Sequence, residues 1–339
     1  ASFTTGSTGE PKLVVRSHDV LRAQHVALQR LRSLPGDDVD LVGLPALVLH
    51  NLAAGVTSVL PSADVGTSRY GATLRETIVR ARPTSAVGFP HLFESAAEGA
   101  DPGAFDSLRA IHVGGSRVKG ELVRVLAGLA PGARLGVVYG STEIEPIAAI
   151  EGEPYLDALA GSDAASGVCV GRPVEGLELR LEPDGGDDRP FGERPGGSIV
   201  VRGRHAAARP GEWVRTGDVG WVDEDSRLWL LGRAANAVGG VRPFEVELAL
   251  ERLDWVRHAS LTRVGEAGTP RLALAVEPRD RGGASRARQV ADVRDLIAEH
   301  GWPVDEVVVR SRLPRIRGDA AKPDVAGGRR RGTHLHAAD

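Results

Sequence analysis

The chain has 339 residues, 42% of them hydrophobic and 26% charged, which suits a globular chain long enough for more than one domain. Its net charge of −3 excludes a global pull toward nucleic acid or anionic lipid, and its single cysteine, Cys169, excludes a disulfide framework and a Cys-based zinc site. No apolar run approaches the ~20 residues that span a bilayer, so no membrane span and a reducing, cytoplasmic setting are expected.

Residues 1–12 form a dense motif, Phe3-Thr-Thr-Gly-Ser-Thr-Gly-Glu-Pro-Lys12. Glycines 6 and 9 allow close backbone approach to an anion, Thr4, Thr5, Ser7 and Thr8 offer hydroxyl donors, and Lys12 offers a mobile charge. The spacing is not that of a Walker A loop, and a Gly/Ser/Thr-rich linker is the alternative. Short apolar runs at 39–44, 57–60, 85–88, 110–113 and 134–139 alternate with helical patterns, clearest at 68–82 and 119–129. This rhythm predicts a parallel sheet flanked by helices. After Gly171 come short strands at 176–181, 197–202, 213–215, 221–223 and 228–232, broken by Gly, Pro and Asp, with a polar loop at 184–189. They predict a small β subdomain. From Phe244 the pattern runs helix (244–254), strand (260–264), strand (272–277), helix (290–300), strand (306–310), a compact α+β lobe. A Gly/Arg-rich tail follows Ala326, and its Arg329–Arg331 run is too short for strong phosphate binding. Only three of the 42 basic residues are lysine: Lys12, Lys119 and Lys322. Arg does not replace Lys where a compact point charge is needed, so these positions stand out.

Four segments, in order, resemble the adenylate-forming superfamily of acyl-CoA synthetases, luciferases and peptide-synthetase adenylation domains. They are Thr4-Thr-Gly-Ser-Thr-Gly-Glu-Pro-Lys12, Tyr139-Gly-Ser-Thr-Glu143, Trp213-Val-Arg-Thr-Gly-Asp218 with Leu231-Gly-Arg233, and Leu313-Pro-Arg leading to Ala321-Lys322. The resemblance implies an α/β fold: a large domain with a parallel sheet and a small β subdomain, then a small mobile α+β C-terminal lobe. It implies an AMP-binding large domain over 1–236, a catalytic lobe over 237–326 and a flexible tail over 327–339, with the hinge at Asn236. It also implies an acid-activating ligase using ATP and Mg²⁺. Thr4, Thr5, Gly6, Ser7, Thr8, Gly9 and Lys12 would hold the β- and γ-phosphates, and Glu143 with Thr4 would bind Mg²⁺. Gly114, Gly115 and Ser116 would line the adenine slot, with Tyr139, Gly140, Ser141 and Thr142 beside it. Asp218 would take the ribose hydroxyls, Arg233 would support them, and Lys322 would bridge carboxylate and α-phosphate.

Each assignment has a plainer alternative. Glu143 would be a first-turn helix acid, 215–218 a hairpin turn, Lys322 an exposed tail lysine. Cys169 reads as a small buried residue. His50, His91 and His112 read as core or pocket residues, His91 the nearest to the acyl pocket. The segment 44–61 and the Ala-Ala-Lys322 ending resemble the branch with the β-lactone synthetases of bacterial olefin biosynthesis, in which a β-hydroxyl attacks its own acyl carbon. The expected substrate is a fatty or β-hydroxy fatty acid, because 44–52 and 86–93 carry no Arg or Lys. The expected acceptor is CoA or that hydroxyl. Asn236 after Gly-Arg, Asp319-Ala-Ala before Lys322 and the short 239–247 loop depart from the CoA-type pattern. Opening inside a motif, the chain is expected to be N-terminally truncated relative to this family. A non-catalytic nucleotide-binding fragment is the alternative, and an interaction module using the tail is a third.

Overall fold

The computed structural model describes residues 2–5, 11–34, 36–61, 69–183, 196–234, 241–264, 271–279, 285–310, 315–316 and 319–323. The polar loop, the hinge residue Asn236 and the tail lie outside the described residues. At the start, β1 (Ser2–Thr5) and β2 (Pro11–Val14) form a small antiparallel pair. Helix α1 (His18–Arg32) begins where the Ser17 hydroxyl accepts from the Val20 amide at 3.2 Å, an N-cap that meets one orphan donor.

Alternating elements follow: β3 (Val39–Val42), α2 (Leu47–Ala54), β4 (Thr57–Val59), α3 (Tyr70–Ala81), β5 (Ser85–Gly88), α4 (Pro90–Ala97), β6 (Ala110–Gly114), α5 (Gly120–Leu129) and β7 (Arg134–Ser141). Their strands pair in parallel in the order β4-β3-β5-β6-β7. The crossover to β4 steps outward and the next, to β5, steps back across β3. Right-handed crossovers then put α2 and α3 on opposite faces. Leu28, Val42, Leu47 and Val87 pack with α1 and α2 on one side. Leu74, Ile78, Phe93, Leu122 and Leu126 belong to the main core on the other. β5 and β6 are buried along their whole length, which is why they read as continuous apolar runs.

From β7 the chain reverses into β8 (Ile144–Glu151), then α6 (Gly152–Ala160), a 3-10 turn (Ala164–Ser166), β9 (Val168–Pro173), β10 (Leu177–Glu182), β11 (Gly196–Gly203), β12 (Val214–Val222) and β13 (Leu228–Arg233). The expected β subdomain is therefore not a sheet of its own. Its strands pair antiparallel onto the parallel half, making one eleven-stranded sheet. A second difference is that the two strands expected around 213–215 and 221–223 are the single strand β12. Gly217 and Gly220 look like breakers in sequence. In the fold Gly220 lies where a Cβ would come within 2.2 Å of the Trp229 carbonyl oxygen, so it is the close approach of β13 that needs glycine.

The C-terminal part has its own core around Leu250, Leu261, Leu274, Val293 and Trp302. It holds α7 (Pro243–Leu250), β14 (Val256–Val264), β15 (Arg271–Pro278), α8 (Arg286–His300) and β16 (Glu306–Val309), with β14-β15-β16 as a three-stranded sheet. β17 (Arg315–Ile316) and β18 (Asp319–Pro323) form a final pair, and β18 lies against α4 of the large sheet. Ionic contacts join the two parts. Arg279 reaches Glu121 at 2.7 Å, and Arg252 donates to the Ser162 carbonyl at 2.9 Å.

Candidate functional site

In parallel α/β sheets, ligands collect at the carboxyl ends of the strands. Gly114 ends β6 and Ser141 ends the adjacent β7, so two of the sequence motifs meet there. A Cβ on Gly114 would sit 2.4 Å from the Val138 carbonyl oxygen, and Gly115 has φ +80°, so only glycine makes this turn. Ser116 follows, partly buried.

Tyr139, Gly140 and Ser141 lie in β7, and Thr142 and Glu143 form the turn into β8. Glu143 is thus in a strand-to-strand turn, not in the first turn of a helix. The turn is held from two sides. The Glu143 carbonyl accepts from the Ala207 amide at 2.7 Å, and the Arg16 guanidinium donates to the Thr142 carbonyl. The Ser141 Oγ is buried without a partner among the described residues.

A third motif closes on the second. The Tyr139 hydroxyl donates to Asp218 Oδ2 at 2.6 Å, across 79 positions of sequence. Asp218 pairs directly with Arg233 in the β12–β13 ladder. Arg233 Nε lies 3.1 Å from Asp218 Oδ1, and Arg233 Nη1 donates to the Thr216 carbonyl at 3.0 Å. The Asp218 amide is met by the Thr216 hydroxyl at 3.1 Å. Burial, and then the Asp218 charge, push the Tyr139 phenol well above its usual value, so it stays a donor. The stretch 215–218 is strand, so the hairpin-turn alternative does not hold.

Beside these residues is a cavity of about 20 Å³, room for about one water. Leu28, Leu44, Leu47, Val87, Val113 and Val138 give it apolar walls, and Gly114 and Gly115 border it. Arg32, His112 and Glu145 also line it. Arg32 forks onto Asp40 at 2.7 and 3.0 Å, yet its Nε and the His112 Nδ1 are buried without partners among the described residues. Burial, reinforced by Arg32 and Arg134, lowers His112 to about 3, so the ring is neutral. Burial raises Glu145, against the opposing pull of Arg16 and Arg32. His91 stacks on Tyr70 at 6.2 Å between ring centroids, and His112 is the histidine on the cavity. The segments 44–52 and 86–93 carry no Arg or Lys, but charge reaches the cavity from α1 and β8.

Of the expected phosphate-loop residues, only the backbone of Thr4, Thr5 and Lys12 is described. Thr4 and Thr5 lie in β1, and Thr4 pairs with Lys12 of β2. Gly6, Ser7, Thr8 and Gly9, and the side chains of Thr4, Thr5 and Lys12, lie outside the described residues. Lys322 lies in β18, its side chain likewise outside them. Cys169 is buried, as expected.

A profile described as AMP-binding enzyme matches residues 1–209. The chain belongs to this family. It is similar to the olefin beta-lactone synthetase of Xanthomonas campestris pv. campestris, 29% identical over 354 residues, covering 89% of this chain and 63% of that protein. It is also similar to the indoleacetate–CoA ligase of Aromatoleum aromaticum, 30% identical, covering 95% of this chain and 66% of the relative. In fold it matches the amide bond synthetase McbA from Marinactinospora thermotolerans, at TM-score 0.74 and 24% identity, over 97% of this chain and 67% of that one. The chain thus spans about 63% of the length of the first of these AMP-binding relatives.

Among the described residues no three His, Cys, Asp or Glu side chains gather as a metal site. An AMP-binding enzyme needs less, because Mg²⁺ is commonly held by one or two carboxylates plus substrate phosphates. Glu143 as a hard oxygen donor, with the orphaned Ser141 Oγ two residues away, fits that arrangement. The sequence reading missed Arg16, Arg32 and Glu145. Glu145, two residues past the end of the Tyr139–Glu143 motif, had no signal of its own. Arg16 and Arg32, at either end of α1, had none.

Proposed function

We propose that this chain activates a carboxylic acid as an acyl-AMP at the expense of ATP. The observation that carries the reading is the meeting of Tyr139, Asp218 and Arg233 beside Gly114–Ser116 and Ser141. In this reading a substrate carboxylate oxygen attacks the α-phosphorus, the bond to the bridging oxygen breaks, and pyrophosphate leaves. Charge gathers on phosphate oxygens, so catalysis is mostly positioning and electrostatics. Gly114, Gly115 and Ser116 would border the adenine and Tyr139, Gly140 and Thr142 would flank it. Asp218, its carboxylate held from both ends, would accept the ribose hydroxyls, and Arg233 helps fix that carboxylate in place. The loop from Thr4 to Lys12 would hold the β- and γ-phosphates. Mg²⁺ at Glu143 and Thr4 would neutralise part of their charge. Lys322, brought over α4 by β18, would meet the carboxylate and α-phosphate.

The apolar walls of the cavity favour a mainly hydrocarbon acid, and the cavity, at about 20 Å³, would have to part those walls to admit one. Its two unpartnered polar atoms favour one that also carries a hydroxyl, since a hydroxyl can accept from Arg32 Nε and donate to His112 Nδ1. A β-hydroxy fatty acid meets both conditions. The adenylate would then pass to CoA or to the substrate's own hydroxyl, in a cytoplasmic setting where ATP is supplied. The test is pyrophosphate release with ATP, comparing octanoate with its hydroxylated isomers and with indoleacetate. Hydroxyoctanoates should be used best. ATP binding without pyrophosphate release from any acid would favour a non-catalytic nucleotide-binding chain.

A further inference from the structure

Arg117 sits in the loop between β6 and α5, two residues after Gly115 of the nucleotide-site turn. Its guanidinium forks onto one carboxylate of the C-terminal part. Nη1 donates to Glu251 Oε2 at 2.7 Å and Nη2 to Oε1 at 2.6 Å. Glu247 lies 3.6 Å from Arg117 Nε, and Lys119 Nζ lies 3.2 Å from Glu251 Oε1. The four side chains are 10–16% exposed. Each carboxylate is also tied to its own sheet: Glu247 accepts from the Leu261 amide at 3.0 Å, Glu251 from the Ala259 amide at 3.3 Å. The cations are thus fixed to the nucleotide-site loop, the anions are fixed to β14, and the bonds between them cross the junction.

We infer that the Arg117–Glu251 fork is a latch that sets the orientation of the C-terminal part over the site, and with it the strand of Lys322 on α4. This rests on the acyl-adenylation reading. A greasy junction can slide. A planar fork on a carboxylate has one good geometry, so it specifies an angle as well as a contact. Arg117 and Glu251 are positioning residues, since they act through Lys322.

The experiment uses the whole chain with ATP and octanoate or its hydroxylated isomers, in four forms: unsubstituted, Glu251→Gln, Arg117→Glu, and Arg117→Glu with Glu251→Arg. Turnover, the KM for ATP and the radius of gyration by small-angle scattering are read together. An ångström of misplacement costs about 10²-fold in rate. Each single variant should therefore lose at least ~10-fold in kcat at little change in KM for ATP, and scatter as a more extended particle. The double variant should recover both. Arg117→Lys, which keeps the charge and loses the fork, should fall between. Should Arg117→Glu fail to fold, Glu251→Gln against Lys119→Gln keeps the test open, with the larger loss expected from Glu251→Gln. Compact single variants with unchanged kcat would overturn the latch, as would a double variant that stays slow and extended. Absence of pyrophosphate release from the unsubstituted chain would sink the adenylation reading, and the scattering comparison would still decide the latch.

Discussion

Asp218 holds Tyr139 on one carboxylate oxygen and Arg233 on the other, so loss of its charge leaves two donors short of an acceptor. Asp218→Ala should lower stability by ~1–3 kcal/mol and weaken ATP binding, read by urea unfolding and calorimetry. Tyr139→Phe should cost less, about 1 kcal/mol, because only one neutral donor is removed. Lys322→Ala should behave differently. An interaction made mainly in the transition state lowers turnover rather than affinity, so it should lose ~10²–10³ in pyrophosphate release with an unchanged melting temperature and near-normal ATP binding. Full activity would remove Lys322 from the proposed mechanism. These residues could be found in sequence because each sits in a contiguous motif whose chemistry names its job. His112, Arg32 and Glu145 could not. Their polar atoms meet only after α1 is laid across the sheet, and nothing local in sequence says which of several histidines faces a cavity.

Strands buried on both faces could be read from their apolar runs, and β5 matches the sequence range residue for residue. β12 could not, because a glycine at a close approach (Gly220) and one with a positive φ (Gly217) look the same in sequence as two glycines needed for turns. Helix α7 and the turn after it carry the pH dependence. Burial raises Glu247 to about 7 against the pull of Arg117. Burial also opposes charge on Glu251, but Arg117 outweighs it and holds this carboxyl at about 2, below the ordinary 4.5. Glu251 therefore adds stability above pH 4.5 that is lost as pH falls toward 2. Glu247 has the opposite sign. Between pH 4.5 and 7 the folded chain keeps a proton that the unfolded chain releases, so its contribution falls as pH rises. The pair should give a maximum near pH 4.5, with limbs on the order of 1–3 kcal/mol. Arg117, Lys119, Tyr155, His258 and Glu94 also face this cluster. The urea series belongs in a His258→Gln background, which removes the neighbouring imidazole. Glu247→Gln should flatten the upper limb, and a limb that persists would assign it to another group.

At the scale of the molecule, the eleven-stranded sheet ends at β4, a parallel edge strand. Near it Val26, Leu49, Leu52 and Leu60 are exposed, Leu52 by 71%. An edge with no further pairing strand among the described residues, beside exposed apolar side chains, invites association. Leu52→Lys with Leu49→Glu should shift the chain toward monomer in sedimentation, with little change in its unfolding midpoint. We also propose the boundary at 236/237: limited proteolysis within 235–240 should release fragments that match the two separate cores. The whole-molecule layout could be read in part, since the order of βα units is written in sequence. The fusion of both β regions into one sheet was not, because strand pairing at long range depends on partners that periodicity does not name. The burial of Lys119 reaches into practical chemistry. Its side chain is 16% exposed, and its ammonium is held by Glu251 and the Arg257 carbonyl. The other two of the chain's three lysines, Lys12 and Lys322, both sit in proposed phosphate-handling motifs. Succinimidyl dyes, biotin esters and amine-coupled sensor chips would thus act on this protein as active-site reagents, and ATP should shield it from them.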